Sequence, residues 1–297
     1  MSVTQDYGIA PPNYRLPSGT RVGTVRLQVA ELARSLAWYR RVLGLEVLEE
    51  WVEMAALGAP GSSAPLLELH ERPGAVPVGR RGRLGLYHFA VLLPDRQSLG
   101  RLVRHLAQIG ERAGMSDHLV SEAIYLTDPD GLGVEVYADR PREAWRVEGR
   151  ELAMTTEPLD VADLTRNSGN APWTGVPPGT VIGHVHLYVG DLGLAADFYH
   201  AGLGLDKVVW SYPGALFMSA GGYHHHLGTN TWAAGAAPAG PEDARLLEWE
   251  LVVPSYADAV AALASVASTG AMVERANAGG LARDPWGTAV RLRAEMP

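Results

Sequence analysis

Four times along the chain, a stretch of alternating apolar and polar residues gives way to one whose apolar residues recur three and four apart. The first pair is residues 22–29 (VGTVRLQV) and 31–39 (ELARSLAWY). Alternation places every second side chain on one face of a strand, and the longer spacing places apolar side chains on one stripe of a helix. The pattern therefore predicts a strand and then a helix, closed by Leu43-Gly44-Leu45, where glycine suits a left-handed helix end. Residues 182–189 (IGHVHLYV), 191–199 (DLGLAADFY) and Leu203-Gly204-Leu205 repeat that order. Fainter copies are a strand at 87–94 with a helix near 98–109, and a strand at 247–254 with a helix near 257–268. Further strand-like segments follow each helix. Two copies close with a turn and a last strand, at Asp128-Pro129-Asp130-Gly131 and Asp284-Pro285-Trp286-Gly287.

Aligning the first strands puts Thr24, His88, His184 and Glu248 at one position, because 88 − 24 and 248 − 184 are both 64. Internal repetition at a fixed period is the mark of a repeated structural unit. The expected fold is α+β: four βαβββ modules in two tandem domains, residues 20–142 and 179–297. A linker at 143–178, rich in Pro, Gly and Asn, joins them, and its Trp145 and Trp173 are expected to pack down on the domains.

Composition narrows the function. The length of 297 residues fits two domains. A net charge of −8 without a basic patch argues against nucleic-acid binding. No apolar run approaches membrane-spanning length and no cationic, apolar leader opens the chain, so a cytoplasmic protein without membrane partners is expected. Homo-oligomerisation is expected from size alone. The absence of cysteine excludes thiolate chemistry and leaves His, Asp and Glu as the only ligands for a metal.

Two features carry candidate chemistry. Glu135 ends the apolar run after the Asp-Pro-Asp-Gly turn, where a charge without a partner is costly; it is a metal ligand or a paired structural charge. His224-His225-His226 follows Gly221-Gly222-Tyr223. In a strand, His225 would point away from its two neighbours; a surface cluster is the other reading. On the strand at 182–189, His184, His186 and Tyr188 share one face, and Val185, Leu187 and Val189 the other, which suits packing under helices. His70, His105 and His200 read as surface or helix residues.

The stretch His118, Ile124-Tyr125, Asp128-Pro129, Gly131 and Glu135, with segments 85–96 (GLYHFAVLLPDR) and 219–228 (SAGGYHHHLG), resembles two-domain extradiol ring-cleaving dioxygenases of the Bacillus catechol 2,3-dioxygenase type. These belong to the vicinal oxygen chelate superfamily, whose paired modules form incomplete barrels around a divalent metal. In that superfamily the ligands lie on the first and last strands of modules. Module one offers Thr24 and Glu68, module two His88 and Glu135, module three His184, and module four Glu248 and Arg291. Only modules two and three together supply two histidines and a carboxylate, the set used by non-heme Fe(II) oxygenases. The expected ligands are thus His88, His184 and Glu135, with barrels pairing modules 2+3 and 1+4. The 1+4 cavity is expected to be metal-free, Arg291 pairing with Glu68 or Glu248.

The resemblance implies extradiol cleavage of a catechol by O2 at Fe(II), with Mn(II) accepted by the same ligands, giving a 2-hydroxymuconic semialdehyde-type product. It gives His225 the acid–base role, or His224 if the register slips by one. Tyr125 would donate a hydrogen bond to a substrate oxygen, His118 would relay protons or support the site, and His186 would line the cavity. The linker and residues 210–217 would shape the substrate pocket. Competing expectations are a glyoxalase-like or hydroquinone-cleaving metalloenzyme and a metal-free small-molecule-binding (resistance) protein of the same fold.

Overall fold

The computed structural model describes residues 7–79, 82–276 and 279–295. The fold is α+β, and each of four modules runs strand, helix, three strands. Modules two and three share a nine-stranded sheet, and modules four and one share an eight-stranded sheet. At the centre of each sheet the first strands of two modules pair antiparallel: Gly85–Leu92 with Val181–Tyr188, and Arg21–Val29 with Arg245–Val253. Each first strand pairs in parallel with the last strand of its own module on its other side. In the larger sheet these are Gly133–Asp139 and Leu227–Asn230. First and last strands of two modules thus lie side by side.

Alternation decides which face each residue takes. Phe89, Val91, Val185, Leu187 and Val189 are fully buried in the continuous apolar core beneath the helices. His88, Ala90, His184 and His186 are left for the opposite face. Three of the four module helices start at capping side chains: Asp95 accepts from the Ser98 N–H at 2.7 Å, Asp191 from Leu194 at 2.8 Å, and Ser255 from Asp258 at 3.2 Å. The Asp95 cap starts the module-two helix at Arg96 rather than 98. Its preceding strand begins at Gly85 rather than 87. The module-three helix is α-helical only over Leu192–Ala195 and continues as a π-helix, Ala196–Gly202.

The repeated turns tie helices to sheets within each half of the chain. Asp128 accepts hydrogen bonds from the Asp130 and Leu132 N–H groups, each at 2.9 Å, and from the Tyr39 hydroxyl of module one at 3.1 Å. Asp284 likewise accepts from Trp286, Thr288 and the Tyr199 hydroxyl, the last at 2.9 Å. The residues between the halves are ordered onto them. The strand Glu157–Pro158 extends the larger sheet beside Gly114–Asp117. The helix Val161–Arg166 packs on the Arg96–Ile109 helix at Gly100, where a Cβ would come within 2.6 Å of the Leu164 carbonyl. Trp173 stacks on His105 with ring centroids 6.2 Å apart, and the Trp145 indole N–H donates to the Arg140 carbonyl at 3.0 Å. Among the described residues, no helix is long and apolar enough to cross a membrane.

Candidate metal centre

Strand register assembles the site from distant parts of the chain. One row across four strands reads Tyr125, Glu135, Ala90, His184. The neighbouring row reads Gly133, His88, His186, Gly228. Ala90 separates Glu135 from His184 with no more than a methyl group, and His88 lies two residues along the same strand on the same face. The His88 Nε2 is 2.9 Å from Glu135 Oε2, and the His184 Nε2 is 3.3 Å from the same oxygen. One ligand atom from each residue lies within 4.8 Å of the others, and among the described residues this is the group of side chains that could hold a metal ion. Glycines make room around it. A Cβ at Gly183 would stand 1.8 Å from the Tyr137 hydroxyl oxygen, and one at Gly228 would stand 2.9 Å from the His186 Cγ.

The three groups are 4%, 2% and 1% exposed for His88, Glu135 and His184. The Nδ1 atoms of His88 and His184 are buried without hydrogen-bond partners, and the His88 Nε2, though 2.9 Å from the Glu135 carboxylate, is not aligned for a hydrogen bond to it, a costly state for polar atoms. Burial opposes ionisation of Glu135, but the facing His184 and His88 outweigh it and hold the carboxyl well below its ordinary range. Burial pushes His184 down to about 4, against the pull of Glu135. At neutral pH Glu135 is thus a carboxylate and His184 a neutral imidazole with a free lone pair, and with the His88 ring beside them the donor set suits a divalent cation. The orphaned nitrogens and the donor set both fit such an ion.

The histidine run is not a strand. Gly221 and Gly222, at φ of 64° and 69°, turn the chain after Ala215–Ser219, and strand structure resumes only at Leu227. All three histidines are buried, so they form no surface cluster. His225 alone of the three lines the cavity. Its ring packs on His184 with centroids 4.0 Å apart and lies edge-on to Phe217 at 5.0 Å. Burial and the surrounding histidines hold its pKa well below the ordinary value. His224 Nε2 lies 2.9 Å from Asp139 Oδ1, and its Nδ1 lies 2.7 Å from the Nδ1 of His225. An ionised carboxylate only accepts, so His224 carries its proton on Nε2. A neutral His224 then accepts from His225 Nδ1–H, and His225 keeps a lone pair on Nε2. His226 turns inward, its Nδ1 accepting from the Ala220 N–H at 3.2 Å.

The same logic applies at Tyr125. The Nδ1 of His118 faces the Thr155 carbonyl at 2.6 Å, and its Nε2 faces the Tyr125 hydroxyl at 2.6 Å. A carbonyl only accepts, so Nδ1 carries the proton and a neutral His118 accepts from Tyr125 O–H. The phenol oxygen then offers lone pairs, not a proton, to the cavity. His186 also lines the cavity, with its Nε2 taken by the Asn230 amide at 3.0 Å. His200 is buried in the π-helix against the Leu205 carbonyl, 2.7 Å away.

The cavity measures about 350 Å³, within the range of small-molecule sites. Its polar end holds the three candidate ligands with His118, Tyr125 and His225. Tyr87, Phe217, Tyr212 and Trp232 supply aromatic walls, and Met154, Thr155 and Thr156 close one side. The sequence reading singles out none of Met154, Thr155, Thr156, Tyr87 or Asp139. Tyr87 adjoins His88 in the segment resembling dioxygenases, which was the available signal; Met154, Thr155 and Thr156 fall in the linker expected to shape the pocket, where nothing ranks them among their neighbours, and Asp139 gives no signal.

The eight-stranded sheet carries a charged counterpart. Arg26 stands where Ala90 stands in the other sheet, flanked in register by Glu68 and Glu248 as Ala90 is by Glu135 and His184. Its guanidinium makes two bonds to Glu68, at 2.6 and 3.0 Å, and one each to Glu248 and Glu250, both at 2.8 Å. Arg291 takes Glu248, at 2.6 and 2.7 Å, and not Glu68.

Residues 21–136 and 181–292 match the Glyoxalase/Bleomycin resistance protein/Dioxygenase superfamily. A curated relative, the catechol-2,3-dioxygenase of Bacillus subtilis (strain 168), is 46% identical over 237 residues, covering 79% of this chain and 82% of the relative. Two solved structures are similar in fold. A candidate dioxygenase from Bacillus subtilis superposes with a TM-score of 0.63 at 15% identity, covering 96% of this chain and 87% of that one. Glyoxalase I from Zea mays superposes with a TM-score of 0.55 at 18% identity, covering 93% and 92%.

Proposed function

The chain belongs to the Glyoxalase/Bleomycin resistance protein/Dioxygenase superfamily, and from that premise we propose that it cleaves catechols by O2 beside the diol, at a non-heme Fe(II) held by His88, His184 and Glu135. The product would be of the 2-hydroxymuconic semialdehyde type. The observation that carries this reading is a buried carboxylate facing two imidazoles with orphaned nitrogens, at the polar end of an aromatic-walled cavity. The name of the 46%-identical Bacillus relative supports it.

Bound there, the metal would supply Lewis acidity toward both oxygens of a diol and redox activation of O2. The chain supplies the rest. Three ligands on one sheet face leave the side toward the cavity open. His225, with its lone pair on Nε2, takes a hydroxyl proton from the substrate and returns it as the ring opens. Asp139, acting through His224, holds His225 in that tautomer. Tyr125 accepts a hydrogen bond from the second hydroxyl, while its own O–H donates to His118 Nε2. Phe217 and Tyr87 hold the ring and keep bulk water from it.

The test is catechol with the Fe(II)-reconstituted chain, with and without air. Oxygen uptake matched by a yellow product is expected, and Mn(II) reconstitution tells which ion the site prefers. Turnover of a substrate under strict anaerobiosis would indicate a glyoxalase-like reaction instead. A chain that binds neither ion would indicate a metal-free binding protein.

A further inference from the structure

The cavity beside the three ligands shares its outer wall with a second, larger groove of about 600 Å³. The wall consists of four residues that face both spaces: Met154, Thr155, Thr156 and Tyr212. One side of it comes from the segment between the two tandem halves, and the other from the turn before the Ala215–Ser219 strand. A hydrogen bond between Thr156 Oγ1 and the Tyr212 hydroxyl, 2.9 Å long, joins the two sides. The carboxylate of Glu151 also clasps that turn, accepting from the backbone N–H groups of Trp210 and Ser211. On the inner side, His118 holds the Thr155 carbonyl beside Tyr125. The wall is therefore fixed to the chemical end of the cavity.

The Tyr212 ring lies one layer beyond the histidines. It packs edge-on to Phe217 at 5.7 Å and near Trp232 at 6.5 Å, while those two rings pack on His225 and His186. From this placement we infer that Tyr212, latched to Thr156, sets the size limit for ring substituents on the substrate. The inference rests on the ring-cleavage reading of the site. The ligands fix the diol end, so a substituent opposite the diol points away from them toward the outer layer. A small uncharged group ends against Phe217 and Tyr212. A long one meets the Thr156–Tyr212 latch and reaches the outer groove only by displacing it. That groove carries Glu148, Glu151 and Glu157 and, among the described residues, no Lys or Arg, so a carboxylate tail would meet like charge. The favoured class is catechol with a small, uncharged substituent.

The experiment uses the Fe(II)-loaded full chain as wild type, Tyr212→Ala and Thr156→Val, with 4-methylcatechol and 4-octylcatechol. Wild type is expected to favour the methyl compound in kcat/KM by roughly tenfold or more. Tyr212→Ala should raise the octyl-to-methyl ratio by roughly tenfold, mainly through KM. Thr156→Val should move it less, in the same direction. Kd values measured for the two compounds without oxygen should shift in parallel. If both variants fold, retain iron and leave the ratio unmoved, or if wild type takes the octyl compound as readily as the methyl one, the inference is wrong. Failure of the ring-cleavage reading looks different: wild type consumes no oxygen with either catechol. The anaerobic Kd ratio then decides the size limit alone, and a wild type that binds neither compound overturns it.

Discussion

Glu135 and His184 flank Ala90 in one row of the sheet, and the room between them depends on a side chain no larger than methyl. In the other sheet the matching position holds Arg26, whose guanidinium fills the space between two carboxylates. One position thus separates a site open to a cation from one that carries its own. Ala90→Leu should therefore cut metal affinity by about the 10- to 100-fold seen when residues around a ligand set are disturbed, with little change in the far-UV circular dichroism spectrum; full iron occupancy in the variant would refute this. His88→Ala and His184→Ala should each abolish iron retention after gel filtration. Asp139→Ala should keep the metal and KM but lower kcat by about 10- to 100-fold, because His224 loses the acceptor that sets its tautomer. An unchanged kcat would mean that His225 keeps its proton arrangement without help. His88, His184 and Glu135 could be singled out because the repeat puts them on first and last strands of modules, the places where the family resemblance implies ligands. Asp139 was not, since its partner is 85 residues away in sequence. The histidine run was read as a possible strand although Gly221-Gly222, two glycines at positive φ, already marks a turn.

At the scale of elements, hydropathy alternation located all four first strands and their helices to within a few residues. The differences lie at ends, where one capping side chain such as Asp95 outweighs periodicity. The Asp-Pro-x-Gly turns read correctly as turns, but nothing local announced that their first aspartates receive tyrosine hydroxyls from another module's helix. That burial has a pH signature. It pushes Asp128 up to about 7 and Asp284 up to about 6. An unfolded aspartate titrates near 3.9. Each folded group holds its proton more tightly than the unfolded chain does, so the stability it adds is present below about pH 4 and is lost as pH rises through the folded value. Glu68 works in the opposite direction. Burial raises it, but the nearby His70 ring and the Arg26 guanidinium bring it down to about 2, so its contribution is lost as pH falls toward that value. For Asp128→Asn, the difference in unfolding free energy from wild type should change by about 1–4 kcal/mol between pH 4 and 7. Denaturant titrations at several pH values measure it. A difference independent of pH would mean that Asp128 is ionised throughout the range.

On the scale of the whole molecule, two kinds of contact run in different directions. Sheet pairing joins module two to three and module one to four, across the middle of the chain. The Tyr39–Asp128 and Tyr199–Asp284 bonds join module one to two and module three to four, within each half. Every module is therefore bonded to both a sequence neighbour and a module of the other half. The candidate ligands divide in the same way, with His88 and Glu135 in the first half and His184 in the second. The crossed order could be reasoned from the sequence only because, at the ligand positions that the family resemblance implies, no single half holds two histidines and a carboxylate; hydropathy alone allows either pairing. A cut in the exposed stretch 169–172 should make the consequence measurable. Residues 1–169 and 170–297, produced separately, each expose the first strands that the other half would cover, so neither should retain iron after gel filtration. Mixed and refolded together, they should elute as one species holding one iron per pair, because the sheet contacts between halves are non-covalent and extensive. Iron held by either fragment alone would show that a ligand set exists within one half, and the crossed sheet would then not be what builds the site.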